Sequence, residues 1–334
     1  MQLIQPSHTP GRHCASTGLQ DLVNHHGIAW SEAMCFGLGS GLGVWYLTLP
    51  GLDPSPMVHV RSLDIESEFF TRIGHPFQWQ RFADPMESEP ALCRELDQGR
   101  PALLQTDIFH LPYYGSETHY PGHVITAWGY DSREKVFFVT DTERETLLEV
   151  PFDAMQKARY CPKHLLSIEG NAFSPTSISP PKDTAAVIAE AMANNSRRIL
   201  HGTPGMQGMP GIFEGIDALN RWQGALPAWP DLETWRWAAR FAYQVIEKRG
   251  TGGGGFRYLY ADFLEEAEGI VPQLAGLELP RKMRKVGHAW TALAWHLKEA
   301  SEKDTPDLGL TAATLQEVTR LETEYHLAVL EIAF

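Results

Sequence analysis

Tyr120-Pro121-Gly122-His123-Val124-Ile125-Thr126-Ala127-Trp128-Gly129-Tyr130-Asp131-Ser132-Arg133-Glu134-Lys135-Val136-Phe137-Phe138-Val139-Thr140-Asp141 reads as two strands joined by a polar turn. Residues 124–129 and 135–140 are rich in the β-branched and aromatic side chains that suit a half-buried pleated surface, and residues 130–134 between them carry the polar groups of a hairpin turn. Ser132 is the middle of that turn, with His123 nine residues before it and Asp141 nine residues after. An antiparallel hairpin therefore sets imidazole and carboxylate level on neighbouring strands, about 5 Å apart at Cβ. Working outward, residues 43–49 and 102–107 are further strand-like runs. Upstream of them, residues 14–26 read as a helix with Leu19, Leu22 and Val23 at helical spacing and Gly27 as its stop; a second helix begins at Ser31 and runs into Gly37. Helices first and an antiparallel sheet later predict an α+β fold.

The chain has 334 residues, 43% of them hydrophobic and 21% charged, enough for two domains with their own cores. Residues 1–170 form the first. Residues 171–182 (NAFSPTSISPPK), rich in Ser and Pro and without periodicity, read as a linker. Residues 183–334 read as an all-helical second domain, with helices near 185–200, 212–223, 232–248, 256–267, 281–300 and 312–332, packed through Trp222, Trp235, Trp237, Trp290 and Trp295. The net charge of −13 argues against nucleic acid and anionic membrane as partners. No run approaches the roughly 18 apolar residues of a membrane span, and the first residues lack the pattern of a secretory signal, so the expected compartment is the cytoplasm.

Several motifs fail. In Gly37-Leu38-Gly39-Ser40-Gly41-Leu42-Gly43, Leu42 and Val44 stand where a dinucleotide fingerprint needs glycine, and the stretch follows a helix rather than a strand, so it reads as a closely packed turn. Residues 250–255 have the two-glycine spacing of a phosphate loop, but Phe256-Arg257 occupy the place of the lysine and hydroxyl residue that reach phosphate and magnesium. No nucleophile elbow of the Gly-x-Ser-x-Gly type is present. Cys14, Cys35, Cys93 and Cys161 make no Cys-x-x-Cys pair, and the histidines form no recognisable ligand spacing, so neither a metal nor another cofactor is expected.

What survives centres on Cys14. It sits where a glycine-containing turn, Thr9-Pro10-Gly11-Arg12-His13, meets a helix N-terminus, where unpaired backbone N–H groups and the positive dipole end favour a thiolate and bind a developing oxyanion. A small buried core residue is the competing reading, and it is the better one for Cys35, which lies between Met34 and Phe36 in an apolar helix. A cysteine nucleophile needs a base and a group to hold that base. In the order Cys14, His123, Asp141, the chain supplies a nucleophile on a helix and a base with its orienting acid on a sheet, the plan of papain-like enzymes. Asp107, in Gln105-Thr106-Asp107-Ile108-Phe109-His110-Leu111-Pro112-Tyr113-Tyr114, is a candidate to receive an amine's charge, with Tyr113 and Tyr114 lining the pocket; a strand-ending Asp beside core aromatics is the alternative.

Gly11-Arg12-His13-Cys14-Ala15-Ser16-Thr17, Ser31-Glu32-Ala33, Phe36 through Gly43, Leu111-Pro112-Tyr113, His123-Val124-Ile125, Gly129-Tyr130-Asp131 and Asp141 together resemble the N-terminal domain of the butirosin-biosynthesis protein H family. Gly250-Thr251-Gly252-Gly253 with Phe256-Arg257 and Tyr260-Ala261 resemble the helical domain usually joined to it, so the likeness runs over nearly the whole chain. That family is similar in fold to papain-like and bacteriocin-processing cysteine peptidases. Its better-understood members move an acyl group from a carrier-protein thioester to an amine in secondary metabolism. The resemblance implies Cys14 as the acyl-accepting thiol, His123 as general base and acid, and Asp141 as its orienting partner. Papain-like enzymes also place a glutamine shortly before the nucleophile in the oxyanion hole. Here His8 stands six residues upstream of Cys14 and Gln5 nine, so the side-chain donor is open, His8 is a substrate-side candidate, and the backbone N–H of Cys14 is the expected donor.

The implied partners are an acyl carrier protein bearing a phosphopantetheine-bound acyl group and an amine acceptor. Carriers are mostly acidic, which sits awkwardly with −13, but Arg281, Lys282, Arg284 and Lys285 offer a basic docking patch. A solvated face is the other reading of that cluster. Two further readings keep the same residues: a peptidase, amidase, thioesterase or cyclase in which water or the substrate's own amine accepts the acyl group, and an inactive binding protein of the same fold.

Overall fold

A computed structural model describes residues 1–161, 167–206, 208–304 and 306–333. In chain order the elements are β1 (Gln2–Leu3), α1 (Cys14–His25), α2 (Glu32–Leu38), β2 (Leu42–Leu47), β3 (Met57–Arg61), α3 (Ile65–Arg72), α4 (Pro85–Asp97), β4 (Ala102–Asp107), β5 (Pro121–Asp131), β6 (Val136–Thr140), β7 (Leu148–Pro151), α5 (Phe152–Ala158), β8 (Tyr160–Cys161), β9 (Ile168–Glu169), β10 (Ala172–Phe173), α6 (Thr184–His201), β11 (Ile212–Glu214), α7 (Gly215–Ala225), α8 (Trp235–Glu247), α9 (Arg257–Glu268), α10 (Leu279–Ser301) and α11 (Gly309–Leu330). The chain is α+β, with antiparallel sheets and a helical C-terminal part. Among the described residues, no helix is long and apolar enough to cross a membrane.

The chain divides into two compact units, one made of Met1–Cys35 and Ile73–Pro181, the other of Phe36–Arg72 and the residues from Lys182 onward. The first unit holds an antiparallel sheet in the order β10-β4-β5-β6-β7, with β1 paired to β5. Alternation along the strands gives it two apolar faces. Ala102, Leu104, Ile125, Ala127, Phe137 and Val139 join Leu92 and Leu96 of α4 and Met155 and Ala158 of α5 in one core. Across the sheet lies α1, whose first ten residues are all buried. Gly18 makes that approach possible, since a Cβ there would stand 2.7 Å from Leu103 Cδ2 and within 3.5 Å of Val124 and Thr126. The helix ends as its sequence predicts: Gly27 takes φ +81°, a left-handed conformation that glycine adopts without a Cβ penalty. Residues Ala172 and Phe173, inside the expected linker, pair with Leu104 and Leu103 as the edge strand β10.

The hairpin register departs from the one obtained by counting from Ser132. Thr126 pairs with Thr140 and Ala127 with Val139, but beyond an irregularity between Ala127 and Gly129 the partners become Gly129 with Phe138 and Tyr130 with Phe137. Extending the inner register puts Asp141 opposite Ile125, two residues along from His123. The pair is diagonal rather than level. An offset of two keeps both side chains on one face, and diagonal neighbours at about 7–8 Å remain within reach of side chains of this length.

In the second unit β2 pairs with β3 on one side and with β11 on the other. The stretch expected to be helical from residue 212 therefore begins as a strand: Ile212, Phe213 and Glu214 pair with Leu47, Tyr46 and Trp45, and the helix starts only at Gly215. The glycine run before α9 turns sharply because Gly252, Gly253, Gly254 and Gly255 all have positive φ, and a Cβ on Gly254 would meet the Gly287 backbone at 3.0 Å. That turn brings Arg257, fully buried, into a polar centre. Its Nε donates to Glu322 Oε1 at 2.8 Å and an Nη donates to the Gly255 carbonyl at 2.7 Å, while its guanidinium lies 4.8 Å from the Trp290 ring centroid. Trp290 Nε1 donates to the same Glu322 oxygen at 2.5 Å, and His326 Nε2 lies 3.1 Å from the other. The glycines spaced like those of a phosphate loop, and the arginine that follows them, thus serve a buried ion pair.

Candidate functional site

Cys14 is the first residue of α1. His13 caps that helix, its Nδ1 accepting from the Ser16 backbone N–H at 3.2 Å. The turn before it is held by Glu32, whose carboxylate accepts from the backbone N–H of Arg12 at 2.9 Å and of His13 at 2.6 Å, and from the hydroxyls of Ser16 and Thr17 at 3.1 and 3.2 Å. A half-buried carboxylate at a helix N-terminus complements the dipole and fixes the loop that presents the thiol. Burial raises the Glu32 carboxyl above its ordinary value despite these four donors.

Cys14 lies close enough to His123 for its charge to act on the imidazole, and His123 Nε2 lies 2.9 and 3.0 Å from the two oxygens of Asp141. The three groups are 8%, 7% and 1% exposed, so they interact in a medium of low polarity where charge–charge energies are large. Burial by itself lowers the basicity of His123. The Asp141 carboxylate and the Cys14 thiolate outweigh it and push the imidazole up to about 10. The interaction is mutual, so the imidazolium equally favours the thiolate. Burial likewise works to raise the Asp141 carboxyl, but the His123 charge and the bonds from His123, Tyr113 and Thr142 hold it below the usual carboxylate range.

The other residues expected around this centre take different places. Tyr113 donates its hydroxyl to Asp141 Oδ2 at 2.7 Å, and the Tyr114 hydroxyl lies 3.3 Å from His123 Nε2, so both tyrosines buttress the imidazole–carboxylate pair through their polar ends. Arg144 lies over both rings, 6.0 and 5.7 Å from the centroids. His8 has both ring nitrogens engaged, Nδ1 at 2.9 Å from Asp21 and Nε2 at 3.0 Å from the Arg144 carbonyl. Burial opposes its charge, but the Asp21 carboxylate prevails and the ring is more basic than an ordinary histidine. Asp21 also accepts from Thr140 Oγ1 at 2.7 Å, which ties α1 to the strand end that carries Asp141. Asp107 is fully buried and bound to its own surroundings, accepting from the Phe109 and Tyr120 amides and from His119. Arg281 is paired with Glu278, and Arg284 with Asp262 and Glu265, while Lys282 and Lys285 are exposed on α10.

Glu32 stands out in the sequence only as part of Ser31-Glu32-Ala33, and neither its hold on the Cys14 turn nor the Asp21–Thr140 link is marked there. Glu32 lies eighteen residues from Cys14, too far for any helical or turn spacing to connect them.

One consequence is measurable. Because Asp141 and Cys14 hold the His123 imidazole above its ordinary range, the same pairing should favour a Cys14 thiolate below the pH at which a free thiol, with a pKa of about 8.5, ionises. Alkylation of Cys14 by iodoacetamide, followed by peptide mass mapping, should be nearly flat between about pH 6 and 8 in the wild type. In His123→Ala it should rise about tenfold per pH unit over that range. A steep wild-type profile would show that no ion pair forms.

A helix-borne thiol thus lies beside a strand-borne imidazole that a carboxylate holds, within an α+β protein. The family model of the N-terminal domain of butirosin biosynthesis protein H matches residues 13–142, and that of a domain of unknown function (DUF4872) matches residues 153–329, more than half of the chain, so the chain belongs to the DUF4872 family and carries a first domain like that of butirosin biosynthesis protein H. No curated protein matches it.

Proposed function

We propose that the protein is an acyltransferase of secondary metabolism that takes an acyl group from a carrier-protein thioester and passes it to an amine through an acyl-Cys14 intermediate. The observation that carries this reading is the pairing of His123 with Asp141, Nε2 at 2.9 Å from the carboxylate, beside Cys14 at the head of α1. The match of residues 13–142 to the N-terminal domain of butirosin biosynthesis protein H supports the metabolic setting.

The Cys14 thiolate adds to the thioester carbonyl, and the backbone N–H of Cys14 at the head of α1 donates to the oxyanion. Collapse expels the carrier thiolate, which takes the His123 proton. Neutral His123 then accepts a proton from the amine as it attacks the acyl-enzyme carbonyl. The second collapse releases the amide and restores thiolate and imidazolium. Exchange between thioesters is nearly isoenergetic and aminolysis is downhill, so the sequence of steps closes without ATP. Lys282 and Lys285 are the exposed basic groups we assign to carrier docking.

The test incubates the protein with a panel of acyl N-acetylcysteamine thioesters and reads intact mass. A single acyl adduct on Cys14, discharged to amide when an amine is added, is the expected result. Discharge to free acid at the same rate with and without amine identifies a thioesterase instead, and no adduct with any thioester identifies a binding protein. Lys282→Glu/Lys285→Glu should slow transfer from a carrier-linked donor by roughly tenfold and leave the N-acetylcysteamine substrates unchanged, because rim charges act mainly on encounter; equal slowing of both refutes docking at that face.

A further inference from the structure

Away from Cys14, three residues from separate stretches of the first unit converge. Asp107 closes β4, His119 lies two residues before β5, and Cys161 closes β8. His119 Nδ1 is 2.6 Å from Asp107 Oδ2, and Cys161 Sγ donates to the same oxygen at 3.5 Å. All three potential ligand atoms lie within 4.8 Å of one another, a grouping found for no other three such residues among those described.

We infer that Asp107, His119 and Cys161 form a binding site for one zinc-class divalent cation. Tetrahedral zinc with bonds of about 2.0–2.3 Å holds its ligand atoms about 3.3–3.7 Å apart. The Asp107–Cys161 separation already has that value, and the Asp107–His119 separation reaches it by opening less than about 1 Å, a motion allowed by the half-exposed His119 side chain. The donor set is selective: thiolate and imidazole favour a borderline-soft ion over magnesium or calcium, which prefer oxygen alone. Binding releases the Cys161 thiol proton to solvent and takes His119 as neutral imidazole with its proton on Nε2. One carboxylate and one thiolate then balance the ion's two charges in a place where Asp107 is otherwise buried.

The supporting contacts are those a metal ligand needs. Asp107 Oδ1 accepts from the Tyr120 and Phe109 amides at 2.8 and 3.1 Å, which aims Oδ2 at the cluster. The His119 ring stacks on Phe109 with centroids 4.1 Å apart. Outer-shell contacts of this kind fix ligand orientation. With three protein ligands a fourth position is left for water. The site joins the two ends of the segment that carries Tyr113 and Tyr114, and it sits immediately before the strand that carries His123.

The experiment strips the full-length protein with a chelator and titrates it with Co2+. The expected result is one equivalent bound, with visible bands of a tetrahedral site and a near-ultraviolet thiolate-to-cobalt absorption, displaced by Zn2+. Cys161→Ser should abolish the near-ultraviolet absorption, and His119→Ala, at a side chain 41% exposed and therefore safe for folding, should weaken binding by more than the roughly 10–100-fold that loss of an outer-shell partner costs. Cys14→Ala should keep the full signal. Absence of stoichiometric binding, or a thiolate band that survives Cys161→Ser or disappears with Cys14→Ala, overturns the assignment. Because the readout is spectroscopic, it stands or falls independently of the acyl-transfer reading.

Discussion

Replacing Cys14 by alanine should abolish acyl-adduct formation and lower amide formation by at least about four orders of magnitude, while stability changes by no more than about 1 kcal/mol. The size of the loss reflects how such residues act. A nucleophile, its base and the orienting acid work as one unit, so removing the first forfeits nearly all that the unit supplies, and only substrate binding and oxyanion stabilisation remain. The small effect on folding reflects position. Cys14 is at the first turn of α1, and the supports of that turn belong to other groups: His13 caps the helix, Glu32 holds the amides of residues 12 and 13, and Gly18 sets the helix against the sheet. The measurement pairs a thioester-dependent mass shift with a melting curve on the same sample. Retained transfer in Cys14→Ala would end the proposal, whatever became of its stability.

Glu322→Ala should be the most destabilising single substitution in the second unit, costing about 3–5 kcal/mol, because it leaves the fully buried Arg257 charge without its counter-ion. For a unit of this size that corresponds to roughly 6–20 °C in melting temperature. Trp290 and His326 lose their acceptor at the same time. Replacing both charges by leucine should recover much of the loss, since an apolar pair removes the desolvation cost along with the attraction. The same group sets an acid limit. Burial works to raise the Glu322 carboxyl, but Arg257 and the donors from His326 and Trp290 depress it from 4.5 to about 2. A depressed folded value means the stabilisation is complete above about pH 4.5 and is lost as pH falls toward 2. Melting curves across that range should slope downward in the wild type and flatten in the double-leucine variant; a single alanine variant that melts with the wild type would show that the ion pair contributes nothing net.

Much of the site is legible from residue types and order, because a cysteine at a helix start and a His and an Asp at strand ends leave local marks. The diagonal register of His123 and Asp141 is not. Counting outward from Ser132 assumes an unbroken ladder, and the irregularity at Trp128, where the pairing shifts by one, has no signature in the chain. Gly129 is a partial hint: a Cβ there would collide with the Gln2 carbonyl, so its side-chain position is taken by β1. Tyr113 and Tyr114 read as pocket aromatics because aromatic character is visible in sequence and the aim of a hydroxyl is not. Asp107, His119 and Cys161 do not read as a cluster because metal sites are legible by short spacings, and these ligands are brought together only by the return of β8 to the end of β4. The second unit's helices are visible from periodicity, whereas β11 reads as helix because three residues that pair with a distant strand look like the first turn of α7.

The pairing of β2 with β11 has a consequence for how the polypeptide is made. Ile212 pairs with Leu47, 165 residues earlier, so on the ribosome the early strand emerges long before its hydrogen-bonding neighbour exists. Loop closure over that distance is entropically slow, and an unsatisfied edge is sticky while it waits. Splitting the gene at residues 171–182 would separate hydrogen-bonded strands onto two products, each translating an incomplete sheet. The C-terminal half joined to another partner would likewise leave β11 without β2, unless residues 36–72 travel with it.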